Sequence, residues 1–116
     1  FLRMDEKSFR FHIKTGSSKK YLAAGFSLSD KAAFDNAKSE LDKAKVDYED
    51  LGHEIAKLRC VDECIGLHDP AGNRLELSYG SKDASEPFAS TQDIKGFITK
   101  GLGFGHVVFT ENGCFC

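Results

Sequence analysis

VDECIGLHDPAGNRLELSYG, residues 61–80, places two short strand-like runs on either side of a five-residue turn. In the turn Asp69-Pro70-Ala71-Gly72-Asn73, Pro70 fixes φ, Gly72 permits positive φ and Asn73 is a turn former. After it, RLELSY alternates: Leu75 and Leu77 lie on one face, Arg74, Glu76 and Ser78 on the other. The run before it, roughly 61–68, has strand length. The whole segment reads as an antiparallel hairpin with one buried and one polar face.

Working outward toward the N-terminus, HEIAKLR at 53–59 has the length of one or two helical turns, and VDYE at 46–49 is a short extended piece. Before them, SDKAAFDNAKSELDKAKV carries Ala33, Phe34, Ala37, Leu41 and Ala44 at helical spacing. Its charged residues fall on the opposite face, and Ser29 or Asp30 stands where an N-cap belongs. YLAAGFSLS at 21–29 is apolar and of strand length. The order over 21–80 is therefore strand, helix, strand, hairpin: one βαβββ unit of α+β class.

The flanks look like pieces of neighbouring units. SFRFHIK at 8–14 alternates, with Phe9, Phe11 and Ile13 on one face and Arg10, His12 and Lys14 on the other, as a half-buried strand would. Residues 81–96, SKDASEPFASTQDIKG, are polar and without period, and read as a linker. FITK, a glycine-rich turn and HVVF then begin something new, with an opening strand expected at 104–110. Partial units on both sides of a complete one would leave unpaired sheet edges. With Phe1 in place of an initiator Met, this leads to the expectation of a segment from a longer chain.

Composition excludes more than it identifies. Sixteen Lys and Arg against eighteen Asp and Glu give a net charge of about -2, with no basic patch for nucleic acid. No apolar run approaches membrane-spanning length, and the charged start FLRMDEKSFRF is not a secretory signal. A cytoplasmic location is expected. Cys60, Cys64, Cys114 and Cys116 lack the usual zinc-knuckle spacing. In a strand, Cys60 and Cys64 would lie roughly 13 Å apart at about 3.3 Å per residue, too far for one bridge or one tetrahedral metal. Reduced thiols are the simpler reading.

The sharpest chemistry is in GLGFGHVVF, residues 101–109. Gly103 and Gly105 allow a close turn just before His106, which shares a strand face with Val108. An imidazole on an inward face is costly to bury unless bonded. A backbone carbonyl would satisfy it as a core histidine; a metal would satisfy it as a ligand. The pattern alone leaves both open.

FLRMDEKSFRFHI, YLAAGFSLSD, HDPAGNRLELSYG and GFITKGLGFGHVVF, in that order and at those separations, resemble type I extradiol ring-cleavage dioxygenases of the 2,3-dihydroxybiphenyl-cleaving type. These belong to the vicinal oxygen chelate, or glyoxalase-bleomycin resistance, superfamily. The hairpin alone resembles the superfamily in general; the G-x-G-H-V-V strand is more specific. The resemblance implies βαβββ modules, with one complete module and partial modules on either side. It places 1–80 in the C-terminal part of a metal-free N-terminal domain, with the complete module at about 21–80. Residues 81–97 become the interdomain linker and 98–116 the truncated first strand of the iron-binding catalytic domain. His106 then falls on the first of three Fe(II) ligands, the other two lying beyond the chain. The implied partners are a catecholic substrate and O2, with no nucleic acid or membrane, and a homo-oligomer at full length. Open positions on a 2-His-1-carboxylate iron would receive catecholate and O2. The 116-residue piece itself is expected to be inactive. Residues 110–116, TENGCFC, depart from the family pattern and receive no role.

Two rivals stand beside this reading. One is a stand-alone glyoxalase-like or drug-binding protein, which needs Glu76 as a metal ligand. YLAAGFSLS has no histidine to partner it, so Glu76 reads as structural, paired with Arg74 or a lysine. The other is a metal-free module acting as scaffold. His12, His53 and His68 fall in polar or turn settings and read as solvated or turn-bound. Asp5, Arg3 and Arg10 form no constellation with evident chemistry.

Overall fold

The computed structural model describes residues 1–17, 19–99, 103 and 104. Its contacts separate two compact units: one is Tyr21–Ser81, and the other joins Phe1–Lys20 to residues from Lys82 onward.

Within the first unit, β1 (Ala24–Ser27), α1 (Lys31–Ala44), β2 (Tyr48–Asp50), α2 (Gly52–Leu58), β3 (Glu63–His68) and β4 (Arg74–Tyr79) follow in chain order. The strands form one mixed sheet, ordered β1-β4-β3-β2. β1 runs parallel to β4, and the other two pairings are antiparallel. This is the expected βαβββ order, with α2 set between the second and third strands. β1 is shorter than the apolar run 21–29 that announced it, and three of its four residues are exposed at the sheet edge.

Local chemistry explains the element ends. Asp30 is the N-cap of α1, its carboxylate accepting the Ala33 amide at 2.8 Å. At the other end Lys45 adopts the left-handed conformation (φ 56°), and the Val46 amide donates to the Leu41 carbonyl at 3.0 Å, closing the helix. The hairpin turn is organised by Asp69. Its carboxylate accepts the backbone amides of Ala71 and Asn73 at 2.9 and 2.8 Å and the Asn73 side-chain amide at 2.8 Å. Those bonds, the Asn73 side chain foremost, hold the Asp69 carboxyl below its usual range. Gly72 takes φ 86°, the value the turn was expected to demand.

The core follows from the pleat. Ile65 lies opposite Leu77 and Leu67 opposite Leu75, so the four share one sheet face. Tyr79 extends that face and meets the Phe34 ring of α1 at 5.2 Å between centroids. Phe34 and Ile65 are each 1% exposed. Along the helical stripe Phe34 is buried and Ala33, Ala37 and Leu41 half-buried, while Ala44 at the end is exposed.

In the second unit the alternation at 8–14 does not produce a strand. Leu2 and Phe11 form one isolated bridge, Lys7 and Asp83 another, and no strand lies beside residues 8–14 among the described residues. Phe11 and Ile13 accordingly remain 40% and 67% exposed. Period-two alternation specifies two faces, but ladder hydrogen bonds need a neighbour to receive them. Residues 82–86 are without helix or strand yet are held in place. Ser8 donates its amide to the Lys82 carbonyl at 3.1 Å, Ala84 to Glu6 at 2.9 Å, and Arg3 Nη2 bonds the Glu86 carbonyl at 2.8 Å. His106 and nearly all of the strand expected at 104–110 lie outside the described residues.

Candidate functional site

On the sheet face opposite the apolar one lies Glu76, the carboxylate that the sequence offered as a rival metal ligand. The sequence pointed to Arg74 or a lysine as the partner of Glu76; the structure pairs it with Arg59, just past the end of α2. Arg59 Nε donates to Oε2 at 2.7 Å and Nη2 to Oε1 at 3.0 Å, a two-pronged bond that engages both carboxylate oxygens. Both side chains are largely buried, at 22% and 12% exposure. The bond to Glu76 raises the Arg59 pKa further. The flanking strands offer nothing in exchange. At the register of Glu76, β1 presents Gly25 and β3 presents Gly66. A metal there would have to break the Arg59 fork and would find no donor side chain on either neighbouring strand at that level.

Arg74 is used elsewhere. Its guanidinium lies over Gly66, where an added Cβ would collide with it, and Nη1 reaches Glu49 of β2 at 2.5 Å. Two ion pairs thus cross this face side by side, Arg59–Glu76 and Arg74–Glu49. Cys64, next to the first, is 2% exposed. Burial pushes its thiol up to about 11, the Glu76 carboxylate adding to the effect and Arg59 opposing it. Such a thiol is neither a nucleophile nor a ready metal ligand near neutrality. Cys60 and Cys64 are both free. Among the described residues no group of three or more His, Cys, Asp or Glu side chains could hold a metal ion. The described part of the chain therefore does not fit an iron site. His53 and His68 are exposed and His12 half-buried against the Phe1 ring, so none of the three joins a metal-binding group.

The second unit holds a constellation that sequence reading missed. Asp5 is 5% exposed, and Arg10 Nε donates to its two oxygens at 3.0 and 2.9 Å, with Nη2 adding a further bond. Burial alone would raise the Asp5 carboxyl, but the bonds from Arg10, the Lys7 amide and the Thr99 hydroxyl together bring it below its usual value. Thr99 is itself 8% exposed. The outer side of the Arg10 guanidinium faces Gly103, where an added Cβ would stand 2.8 Å from Nη1 and 3.2 Å from Cζ. Asp5 and Arg10 sit within the FLRMDEKSFRF run, but Thr99 is far away in sequence, and no periodicity links them.

No family model matches the chain. Among curated proteins, 3-methylcatechol 2,3-dioxygenase of Pseudomonas putida is 34% identical over 93% of this chain and 38% of its own length. Biphenyl-2,3-diol 1,2-dioxygenase of a Pseudomonas species is 30% identical over 91% and 36%. An iron-dependent extradiol dioxygenase of Rhodococcus jostii is 31% identical over 95% and 36%. Of solved structures, a catechol 2,3-dioxygenase superposes with a TM-score of 0.90 at 29% identity, covering 97% of this chain and 38% of that one. A halotolerant catechol dioxygenase gives 0.71 at 26% identity, over 82% and 32%. The chain spans a little over a third of the length of the curated relatives it matches. Over about that third, the chain is similar in sequence and in fold to extradiol catechol dioxygenases, its four-stranded mixed sheet matching a fragment of their vicinal oxygen chelate fold.

Proposed function

We propose that the chain is a portion of an Fe(II)-dependent extradiol dioxygenase that opens catechol rings with O2, in the breakdown of aromatic compounds. The observation that carries this reading is the match along nearly the whole chain to 3-methylcatechol 2,3-dioxygenase, from residues of the second unit through the module. In this reading residues 1–80 belong to a metal-free N-terminal domain, 81–97 connect it to the next, and 98–116 open the iron-binding domain. His106 is one of the iron's protein ligands, and the remaining ligands come from chain beyond residue 116. The substrate class is a catechol such as 2,3-dihydroxybiphenyl, and the working protein is a cytoplasmic homo-oligomer.

The module 21–81 has a supporting role. On the sheet face that bears Glu76, that carboxylate is held by Arg59 and Glu49 by Arg74, and burial pushes the Cys64 thiol up; all three favour a scaffold over a second metal centre. The Arg59–Glu76 pair counts against a stand-alone glyoxalase-like protein, which would need Glu76 free.

The test is direct. His106→Ala in the full-length enzyme should abolish iron binding, measured as iron per chain after gel filtration, and ring cleavage with it. Retention of both would refute the reading. The 116-residue chain alone, supplied with Fe(II) and 2,3-dihydroxybiphenyl in air, should yield no yellow ring-opened product.

A further inference from the structure

We infer that residues 82–97, which the sequence offers as a linker, form a folded strap clasped by residues 3–8, with Arg3 as its fastener. That the strap joins two domains rests on the reading given above; the clasp itself is independent of iron and of catechol.

The clasp is antiparallel. Lys7 and Asp83 stand opposite each other in an isolated bridge, with backbone bonds on either side of it. Ser8 donates its amide to the Lys82 carbonyl at 3.1 Å, and Ala84 donates its own to the Glu6 carbonyl at 2.9 Å. The Ser8 hydroxyl adds a second bond to the Lys82 carbonyl at 3.1 Å. Side chains cross the clasp at two places. Lys7 Nζ donates to Asp83 Oδ1 at 2.6 Å, and Arg3 Nη2 to the Glu86 carbonyl at 2.8 Å.

The two crossings are unequal. The Asp83 side chain is 61% exposed, and an ion pair so open to water contributes little. Arg3 is half-buried, and its guanidinium spreads over three backbone carbonyls. Nε donates to Lys7 at 3.2 Å, and Nη2 to Asp5 at 3.3 Å as well as to Glu86. One rigid fork thus ties the bend at residues 5–7 to the strap, through bonds strengthened by the charge on the donor. A lysine ammonium lacks the fixed fan of donors that this needs.

Beyond Glu86 the segment doubles back. Nine extended steps from residue 88 to residue 97 would span about 30 Å. Instead the Phe88 and Phe97 rings stand 6.4 Å apart. Gly96, at φ 115°, passes Phe88 so closely that an added Cβ would lie 3.7 Å from the ring. Between them the Gln92 amide donates to the Ser90 hydroxyl at 3.0 Å, and the Ile94 amide to the Gln92 carbonyl at 2.7 Å. A surface loop whose ends meet in this way packs on its own side chains. A chain pinned at 82–86 and closed between 88 and 97 does not supply the slack of a flexible linker of equal length.

Amide hydrogen exchange on the full-length protein reads the clasp at Ser8 and Ala84, while the amides between β3 and β4 report whether the module stays folded. In the parent, Ser8 and Ala84 should exchange at least about tenfold slower than in an unstructured peptide of the same sequence, because exchange tracks local opening. Arg3→Ala should speed both by about tenfold, the scale of one lost bond to a charged group. Arg3→Lys should restore little of that protection, and Asp83→Asn should stay within about twofold of the parent. Peptide-like rates in the parent would make 82–97 a free linker and overturn the strap. Parental rates in Arg3→Ala, or an equal effect from Asp83→Asn, would remove Arg3 as the fastener. Should Arg3→Ala not fold, seen as lost protection between β3 and β4, the parent rates and Arg3→Lys still decide. Iron binding by His106→Ala bears only on the dioxygenase reading, so either conclusion can fail without the other.

Discussion

The two units of this chain are stabilised in opposite ways. In Tyr21–Ser81 a hydrogen-bonded sheet buries Phe34, Ala56, Cys64, Ile65 and Leu67, an apolar interior built around one helix. Among the described residues of the other unit the buried ones are Asp5 and Thr99, while Phe1, Leu2, Ile13, Phe97 and Ile98 are exposed. Its described residues form bridges and turns but no strand or helix. Burial of a carboxylate is tolerated only because Arg10, an amide and a hydroxyl surround it. Apolar packing is non-directional and gives way gradually to substitution. A buried ion pair is directional and fails abruptly when one partner goes. One unit is thus suited to carrying a sheet, the other to fixing the position of a few particular atoms.

The contrast is open to test. The largest effect should come from Phe34→Ala, which empties the centre of the module and should cost about 3–5 kcal/mol in urea unfolding, as large-to-small aromatic core changes do. A loss under about 1 kcal/mol would mean the module is not held by its core. Glu76→Gln comes next. It leaves Arg59 facing a neutral amide and should cost about 1.5–3 kcal/mol, the range for hydrogen bonds to charged groups. The iron content of the full-length enzyme should be unchanged by it, whereas a drop would return Glu76 to the candidate ligands.

Acid should separate the units without any mutation. The Asp5 carboxyl is lowered in the folded chain, so its contribution is complete above the unfolded aspartate value of about 3.9 and is lost as pH falls through the lower folded value. Hydrogen exchange at the bonded amides of Leu2, Arg10 and Phe11 should accelerate in that window, while the amides between β3 and β4 remote from the Asp69 turn, whose own carboxyl is also lowered, stay protected. Equal acceleration in both would erase the distinction. The smallest effect belongs to Asp30→Ala. It removes one cap from an exposed helix start and should lower the thermal midpoint slightly, with the other unit unaffected.

What was legible in the sequence follows the same division. The hairpin, the capped amphipathic helix and the βαβββ order rest on spacing and turn chemistry within short windows, and they formed as expected. Residues 8–14 show where that logic stops: Phe9, Phe11 and Ile13 alternate correctly, yet among the described residues no adjacent strand offers a ladder to join. Arg59 lies 17 residues from Glu76, at the end of a short helix, and nothing in the local pattern nominates it as the partner over Arg74. Asp5 and Arg10 were weighed with Arg3 and yielded no evident chemistry, and Thr99 was not linked to them, for the same reason: such a cluster has no period. His106 takes its ligand role from the family resemblance, the residues alone leaving a core histidine open as well, and it lies outside the described residues.

The parallel pairing of β1 with β4 imposes an order of assembly. Phe26 and Ser78, joined across that pairing, are 52 residues apart, whereas β3 and β4 meet across a single turn. Closing the longer loop costs more chain entropy and is rewarded only once its distant partner exists. Within this module, Ala24–Ser27 should therefore be the last strand seated: until Tyr79 has followed it out of the ribosome, it has no partner for its parallel pairing.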